Sequence, residues 1–382
     1  MTALAVVATA CGGSTATSAP STAVPVTTTT SEPPPGAAAP TTVATPPTPA
    51  TTEQPSTTTT VPAEGCAFTA PVAGGEVTWV DNGRLLAAGA DGSTRCLLDG
   101  VTSPTPVRWS DTGERVLTDP ATIEGAAGAR ASGVDAANQT VSWSAPSGKA
   151  LIDIDPATHH LIWHSSTSNS TQDISFLART DEAVYHPAGK AIAAVGLSED
   201  GVYGIWLASN RGQNRQLITR IDDPSTPPTN LAFSADGLSV EFIHRAAHRL
   251  HLQGLVLDEF GIEGRQEGNL TVSTVDAIEA YTTGPCDSTG SIIANGTDLR
   301  TAAGSPFSGG TTTVRPVGWL SGLRLVIASR PSGCDGPADV WIWSSNTNTF
   351  APVASIATSV AVRIPHGPFN ELPPTIDEAA PG

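Results

Sequence analysis

The sequence has few positive charges and no long apolar run. It carries 19 lysines and arginines against 36 aspartates and glutamates, a formal net charge of −17 at pH 7. Surfaces that bind nucleic acid, or that dock electrostatically on anionic lipids, need clustered positive charge. The charge balance therefore argues against both kinds of partner. A membrane-spanning helix needs about 18 consecutive apolar residues, and no run after the first residues approaches that length.

Aromatic residues are missing before Phe68. Residues 12–64 consist almost entirely of Thr, Pro, Ala, Ser, Gly and Val. Such a segment buries too little apolar surface to offset the entropy lost on ordering. Proline-rich stretches such as residues 33–35 also bias the chain toward polyproline II. We therefore predict a disordered linker over residues 11–64, of a kind that would suit a spacer through a cell-wall layer.

A short apolar run precedes Cys11, and two small residues, Thr9 and Ala10, stand directly before it. This pattern resembles the lipobox of bacterial lipoproteins. The resemblance implies a diacylglycerol on Cys11, removal of residues 1–10 as a signal peptide, and a lipid anchor at the extracytoplasmic face of the cell membrane. The chain departs from the family at Ala8, where leucine is usual, and lacks the positively charged start of a secretory leader. The alternative is an unmodified cysteine in a disordered N-terminus.

The other four of the five cysteines form an even set, which in an exported protein indicates disulfides. Of the three pairings, we favour Cys66–Cys96 and Cys286–Cys334, because each pair lies within one or two repeats of the chain. Four buried thiols are the alternative. A zinc site is not indicated, since no two cysteines have C-x2–4-C spacing.

A short phrase recurs through the rest of the chain: a small or β-branched residue, an aromatic, a glycine-containing turn and a second β-rich run. The aromatic residues of the copies are Trp79, Trp109, Trp143, Tyr185, Phe233, Tyr281 and Trp319. A period of roughly 40 residues built from strands and tight turns is typical of β-propellers. We predict an all-β propeller over residues 65–365, followed by a C-terminal tail at 366–382. Seven blades are expected, or six if Tyr281 does not begin one.

Two copies resemble a known family. Residues 186–193 (HPAGKAIA) and 233–237 (FSADG) resemble the repeat phrase of TolB-type, WD40-like propellers, and residues 204–208 and 216–219 look like its continuation. The resemblance implies binding surfaces on the loop faces and at the central axis. Together with the lipobox and the linker, the chain resembles actinobacterial propeller lipoproteins.

Three histidines stand close together in the sequence: His244, His248 and His251. On a helix they would share one face and could hold a metal. The flanking residues favour strands instead, so we predict a hairpin with its turn at residues 245–248. Strand alternation then places His244 and His248 on one face and His251 on the other. A metal site is not expected here.

Asp153 and Asp155 fall on the same side of a predicted strand. Paired carboxylates serve glycoside hydrolysis at the right separation. The simpler interpretation is an alternating strand that enters a proline turn with both acids in solvent. His159, His160 and His164 are likewise expected in a loop or facing outward.

The sequence has no nucleophile elbow, P-loop, zinc-protease or EF-hand motif. We therefore assign no catalytic, cofactor-binding or metal-binding residue. We expect a monomeric binding or scaffold module for an envelope protein, peptide or glycan, attached to the membrane only through lipid. The alternative is a hydrolase or lyase whose acidic residues meet at the propeller axis. Three or more acids or histidines that converge there around a bound cation would favour the enzyme, and a neutral or aromatic lining would favour binding.

Overall fold

The computed structural model describes residues 65–364 except for short internal gaps. The gaps are residues 90, 103–105, 111, 119–120, 137, 139–140, 145–147, 235, 261–268, 274–277, 285–288, 332 and 335. The predicted signal peptide, the linker with Cys11, the C-terminal tail and Cys286 therefore lie outside the described residues. The part of the chain that is described contains 27 strands and no helix, and so no helix that could cross a membrane.

Five sheets contain four antiparallel strands each. The first two consist of β4 (Arg108–Trp109), β5 (Arg115–Thr118), β6 (Thr122–Gly125) and β7 (Arg130–Ala131), and of β8 (Ser142–Trp143), β9 (Ala150–Ile154), β10 (Leu161–Ser165) and β11 (Thr171–Asp173). The third and fourth consist of β12 (Arg179–Tyr185), β13 (Ala191–Leu197), β14 (Tyr203–Ser209) and β15 (Gln216–Arg220), and of β16 (Thr229–Phe233), β17 (Ser239–His244), β18 (Ala246–His251) and β19 (Val256–Glu259). The fifth consists of β20 (Leu270–Val272), β21 (Glu279–Thr282), β22 (Ile292–Ala294) and β23 (Thr297–Asp298).

A sixth sheet joins the two ends of the propeller chain. Its seven strands run in the order β24-β25-β26-β27-β1-β2-β3. They are β24 (Thr313–Leu320), β25 (Arg324–Arg330), β26 (Ala338–Ser344), β27 (Thr349–Arg363), β1 (Glu76–Asp81), β2 (Arg84–Ala88) and β3 (Thr94–Asp99). The first part of β27, as far as Ala357, pairs with β26, and the part from Thr358 onward pairs with β1. Ile356 and Ser359 adopt left-handed φ angles of 57° and 51° where the strand changes partner.

The chain is therefore an all-β propeller with five separate four-stranded blades, where the sequence predicted seven. The difference arises at the chain ends, because β27 bonds to strands on both sides and merges the remaining seven strands into one sheet. The repeated aromatic phrase marks strands, but it carries no information about where one sheet ends and the next begins.

The seven repeat aromatics form the packing between sheets. All are buried, with exposed fractions of 1–8%. Five of them lie on the first strand of their sheet (β4, β8, β12, β16 and β24). Tyr281 instead lies on β21, the second strand of its sheet, and Trp79 lies on β1. Trp79 and Trp319 lie in the same seven-stranded sheet, and each of the other five lies in a sheet of its own. Each such side chain contributes roughly 1.5–3 kcal/mol through burial.

The predicted Cys66–Cys96 disulfide is present, with the two Cα atoms 4.6 Å apart. It ties the segment that enters the propeller to β3, and both cysteines pack in an apolar cluster formed by side chains of the seven-stranded sheet. Cys334 is also disulfide-bonded. Because Cys286 lies outside the described residues, the Cys286–Cys334 pairing stays a prediction.

Candidate functional site

The innermost strands of neighbouring sheets contact each other around the propeller axis. Contacts join β8 to β12, β12 to β16, β16 to β20, β20 to β24, β24 to β27 and β27 to β4. Gly318 on β24 shows how close these strands come, since a Cβ there would lie 2.9 Å from Val362 on β27. The C-terminal part of β27 thus fills the position between β24 and β4.

Three polar side chains of this inner ring bond to the backbone of the next strand. The hydroxyl of Ser142 on β8 accepts from the N–H of Tyr185 on β12 at 3.1 Å. The amide oxygen of Asn230 on β16 accepts from the N–H of Leu270 on β20 at 3.4 Å. These bonds satisfy backbone donors that the short inner strands would otherwise leave unpaired. They hold the ring together and are therefore structural.

Glu182 on β12 makes a third bond of this kind. Its carboxylate accepts from the N–H of Leu231 on β16 at 2.7 Å. Burial raises the pKa of Glu182 to about 7, and the bonds from the backbone of Leu231 and Asn230 oppose that rise. The carboxylate is thus engaged in joining two sheets. Within the described residues, no group of three or more His, Cys, Asp or Glu side chains is placed to hold a metal ion.

Arg108 on β4 differs from these residues. Its Nε is buried and has no hydrogen-bond partner in the described part of the chain. Burial lowers the pKa of Arg108, and the charge of Arg315 on β24 lowers it further. The strands β4 and β24 both belong to the inner ring, and the two arginines lie close enough for the charge of Arg315 to act on Arg108.

The backbone around Arg108 is firmly anchored. The indole N–H of Trp109 donates to the hydroxyl of Thr78 on β1 at 2.8 Å. On its other side, the Trp109 ring stacks beneath the guanidinium of Arg363, 4.4 Å from the ring centroid. Arg108 itself is half-buried, and its Nε is closed to solvent. The contacts of Trp109 therefore fix the strand that carries Arg108.

The three clustered histidines lie on a hairpin, as predicted, but its turn is tighter. Arg245 alone connects β17 to β18, with a left-handed φ of 68°. The rings of His244 and His248 share one face, with centroids 6.4 Å apart. His251 lies on the other face, with Nδ1 3.0 Å from the hydroxyl of Ser239. The turn is shorter than expected because Ala246 pairs directly with His244.

His244 and His248 border a cavity of about 370 Å³ between β15 and β17. Phe242 stacks on His248 with ring centroids 5.3 Å apart. Burial, followed by the charges of His248 and Arg245, lowers the pKa of His244. Acidic and basic residues both line this cavity, including Asp223 and Arg245, whose side chains approach to 3.6 Å. The mixed charge defines no particular ligand.

Asp153 and Asp155 do not form a solvated pair. Asp153 is only 9% exposed, and the Asn138 side chain donates to its carboxylate. The loop before β8 that carries Asn138 covers this part of β9, which the alternation of β9 could not reveal. Asp155 closes the following turn, where its Oδ1 accepts from the N–H groups of Ala157 and Thr158. These bonds lower the pKa of Asp155.

His164 is buried, not facing outward as expected, with 6% of its surface exposed. Arg130 of the neighbouring sheet bonds to the carbonyl groups of Ser165 and Ser166 and so covers this part of β10. Burial lowers the pKa of His164, and the charge of Arg130 contributes. His159 is exposed, and the Nδ1 of His160 lies 2.7 Å from a carboxylate oxygen of Asp173, so both belong to the surface as predicted.

Sequence reasoning missed Arg108 and Arg315 on the inner ring. A signal existed for Arg108, because it directly precedes the repeat aromatic Trp109. In four other copies the residue at that position is small or uncharged: Ser142, Val184, Ala232 and Gly318. Arg315 stands four residues before Trp319 and had no comparable signal. Only the folded ring brings it near Arg108.

No protein-family model matches this sequence, and no curated protein matches it. Among solved structures, TolB from Acinetobacter baumannii is similar over 76% of this chain and 82% of its own, with 12% identity and a TM-score of 0.42. A putative TolB from Agrobacterium tumefaciens is similar over 76% of this chain and 97% of its own, with 12% identity and a TM-score of 0.43. A quinonprotein alcohol dehydrogenase-like protein from Bacteroides thetaiotaomicron covers 76% of this chain and 78% of its own, with 8% identity and a TM-score of 0.49. At these identities and TM-scores, the similarity transfers no residue role to this chain.

Proposed function

We propose that the chain is a monomeric binding module of the cell envelope whose propeller axis contacts a protein, peptide or glycan. In this proposal the seven-stranded sheet acts as two blades that share β27, which gives a ring of seven. An axial contact surface is supported by the state of the Arg108 side chain. Its buried Nε donor has no partner in the described part of the chain, and Arg315 stands nearby with the same charge.

An unsatisfied buried donor destabilises a fold by about 1–3 kcal/mol. The neighbouring inner-ring residues Ser142, Glu182 and Asn230 avoid that loss by bonding to the next strand. Arg108 does not, so a partner with acceptor groups would gain a bond at this position that the fold leaves open. A chain with net charge −17 that holds two arginines beside its axis is suited to a ligand that is negative at the point of contact.

The remaining parts of the proposal concern location. Diacylated Cys11 would anchor the chain, because each buried methylene contributes ~0.8 kcal/mol and two acyl chains hold stably. The linker would then hold the propeller ~40 Å from the membrane as a coil and ~160 Å from it when fully extended. That range allows the propeller to reach partners across a cell-wall layer.

Affinity capture from envelope extracts tests the binding function. Full-length chain, with Cys11 intact, is compared with Arg108→Gln and with Arg84→Gln as a matched control. Arg84 is a half-exposed arginine whose Nε lies 3.8 Å from Asp99. We expect a partner that the wild type and the control retain and that Arg108→Gln releases. Equal recovery by all three chains, or no partner at all, would show that the axis is not the contact surface.

Fractionation tests the anchor. Cys11→Ala should move the protein from the membrane fraction to the medium, while Cys96→Ser, which removes a different cysteine, should leave the wild-type distribution unchanged. A wild-type protein that is already unmodified and absent from the membrane fraction would contradict the lipoprotein proposal.

A further inference from the structure

We propose that a cleft between the first two four-stranded sheets is a binding site of its own, in which Arg115 takes a carboxylate or phosphate group of a small ligand. The cleft has a volume of about 520 Å³, within the about 300–1,000 Å³ that is usual for small-molecule sites. The entry segment, β5, the β6–β7 hairpin and the loop after β10 border it. None of the described residues that border it lies on an inner strand, so this site is separate from the proposed axial surface.

The guanidinium of Arg115 is held in place at one of its nitrogen atoms. Its Nη1 donates to the carbonyl of Gly148 at 3.1 Å and to the hydroxyl of Ser166, both in loops of the second sheet. Its Nε and Nη2 donate to no acceptor in the described part of the chain, and unlike the Nε of Arg108 they are open to solvent. Arginine binds carboxylate and phosphate groups in a bidentate pair through two such donors. The free edge of Arg115 thus has the donors that an oxyanion requires.

Arg130 on β7 adds a second positive charge at the same place. Its Nε donates to the carbonyl of Ser166 at 2.8 Å, while Arg115 donates to the hydroxyl of that residue. The two Nη atoms of Arg130 are bonded to other oxygen atoms nearby. Burial lowers the pKa of Arg130, and the charge of Arg115 lowers it further. Arg130 therefore contributes charge to the site, and Arg115 contributes the free donors.

The register of the first sheet separates these arginines from the acids of the cleft. Arg115 pairs with Gly125 on β6, and the residue two positions before Gly125 pairs with Arg130. Paired positions share a face and successive residues alternate, so both arginines lie on one face of the sheet and Glu124 lies on the other. Burial alone raises the pKa of Glu124, so neither arginine compensates its charge. Glu114, the other acid at the cleft, precedes β5 and is exposed.

The cleft is open where the two arginines meet. A Cβ at Gly125 would lie 3.5 Å from the Cγ of Arg115, so the missing side chain leaves this arginine uncovered. The loop at residues 126–129 reads Ala-Ala-Gly-Ala and gives the entrance small side chains. Neither arginine forms an ion pair in the part of the chain that is described. An oxyanion that enters would turn a repulsion between two cations into two attractions.

Calorimetric titration of the full chain at low ionic strength tests the site. The probes are sodium succinate and inorganic phosphate, with neutral succinamide as the uncharged control. We expect at least one of the two anions to bind and succinamide not to bind. Arg115→Gln should weaken the anion at least tenfold, and Arg115→Lys, which keeps the charge but loses the paired donors, at least threefold. Arg84→Gln should change the affinity less than twofold, because that arginine is half-exposed and lies on β2.

A second variant leaves the bonds of Arg115 to the second sheet intact. Ala127 is exposed in the β6–β7 loop and borders the cleft. Ala127→Glu places a carboxylate at the entrance and should weaken the anion at least fivefold through repulsion. Ala157→Glu adds the same charge in the exposed turn between β9 and β10 and should change the affinity less than twofold. This pair of variants decides the matter even if Arg115→Gln lowers the unfolding midpoint.

The two anions distinguish the source of the oxyanion. Preference for succinate indicates a carboxylate of the ligand, and preference for phosphate indicates a phosphorylated ligand. Raising the salt concentration should weaken either, since the interaction is one of charge. Failure of both anions to bind, or binding that Arg115→Gln and Ala127→Glu leave unchanged, would overturn the inference. Binding that Arg108→Gln abolishes while both cleft variants retain it would place the anion at the axis, which contradicts the cleft site and supports the axial contact.

Discussion

Arg363, the last residue of β27, holds the two ends of the propeller together. Its side chain is fully buried, with an exposed fraction of 0%. Its Nη1 donates to the carboxylate of Glu76 on β1 at 3.1 Å, and its Nε donates to the carbonyl of Gly113 at 2.7 Å. Its Nη2 donates to the carbonyl of Thr69 at 2.6 Å. One guanidinium thus links the first strand, the β4–β5 turn and the entry segment.

Arg363→Met removes this link while keeping most of the apolar stem against the Trp109 ring. Breaking a buried ion pair by removing one partner destabilises by about 3–5 kcal/mol, because the other charge is left buried. Here Glu76 keeps a second partner, since Arg95 also pairs with its carboxylate. The residual charge is therefore partly compensated, and we expect a loss near the lower limit, about 3 kcal/mol in the free energy of unfolding.

Equilibrium unfolding in denaturant, followed by tryptophan fluorescence with the Cys66–Cys96 disulfide intact, measures this loss. Arg84→Met is the matched control, because its partner Asp99 is 72% exposed and surface pairs contribute about 0–1 kcal/mol. The double variant Arg363→Met/Glu76→Gln should lose less than the sum of its single variants, since the two side chains contact each other. Equal losses for Arg363→Met and Arg84→Met would refute the view that Arg363 closes the ring.

Three further predictions concern other parts of the molecule. Gly237→Ala should lower the free energy of unfolding by about 2–3 kcal/mol, because its φ is +72° and a Cβ would lie 2.2 Å from the Nε2 of His186. Gly201→Ala is the control: its φ is +77° and the space around it is open, so it should lose only the ~1–2 kcal/mol that a left-handed backbone costs. Equal losses for the two variants would exclude the clash with His186. Burial lowers the pKa of His186 to about 4, so the folded protein keeps this ring neutral where the unfolded chain, with a pKa of about 6.5, would protonate it. The contribution of the neutral ring to stability, about 3 kcal/mol, is therefore complete above about pH 6.5 and is lost as the pH falls toward 4. Denaturant midpoints between pH 7 and 4 should therefore fall more steeply for the wild type than for His186→Gln, and parallel curves would contradict this account. Peptide mapping under non-reducing conditions should recover a Cys286–Cys334 peptide, and a Cys334 peptide linked to Cys11 would contradict that pairing.

Several features were predictable because they depend on residues close together in sequence. The repeat aromatics Trp109 and Trp143 predicted buried strands, and strand alternation predicted that His244 and His248 share a face. The Cys66–Cys96 disulfide followed from its position within one repeat. In each case the information lies within a strand, a turn or a span of about one repeat, where local periodicity and loop length decide the outcome.

The features that were mispredicted depend on contacts between distant parts of the chain. The merging of seven strands into one sheet requires β27 to pair with β1, which lies at the opposite end of the propeller sequence. His164 and Asp153 are buried because Arg130 and Asn138, from other strands and loops, cover them. Alternation within β9 or β10 says which side chains share a face, but not whether another element covers that face.

The position of Arg108 follows from the same alternation that buries the repeat aromatics. On each first strand the aromatic packs between sheets, and the residue before it lies on the opposite face of the strand. Since the ring is held by the aromatics and by bonds between strands, the preceding position tolerates different side chains: Arg108, Ser142, Val184, Ala232 and Gly318. Side-chain chemistry can therefore change at these positions while the sheets stay packed. This separation is the reason that we expect Arg108→Gln to release a captured partner without loss of stability, whereas Arg363→Met should weaken the fold.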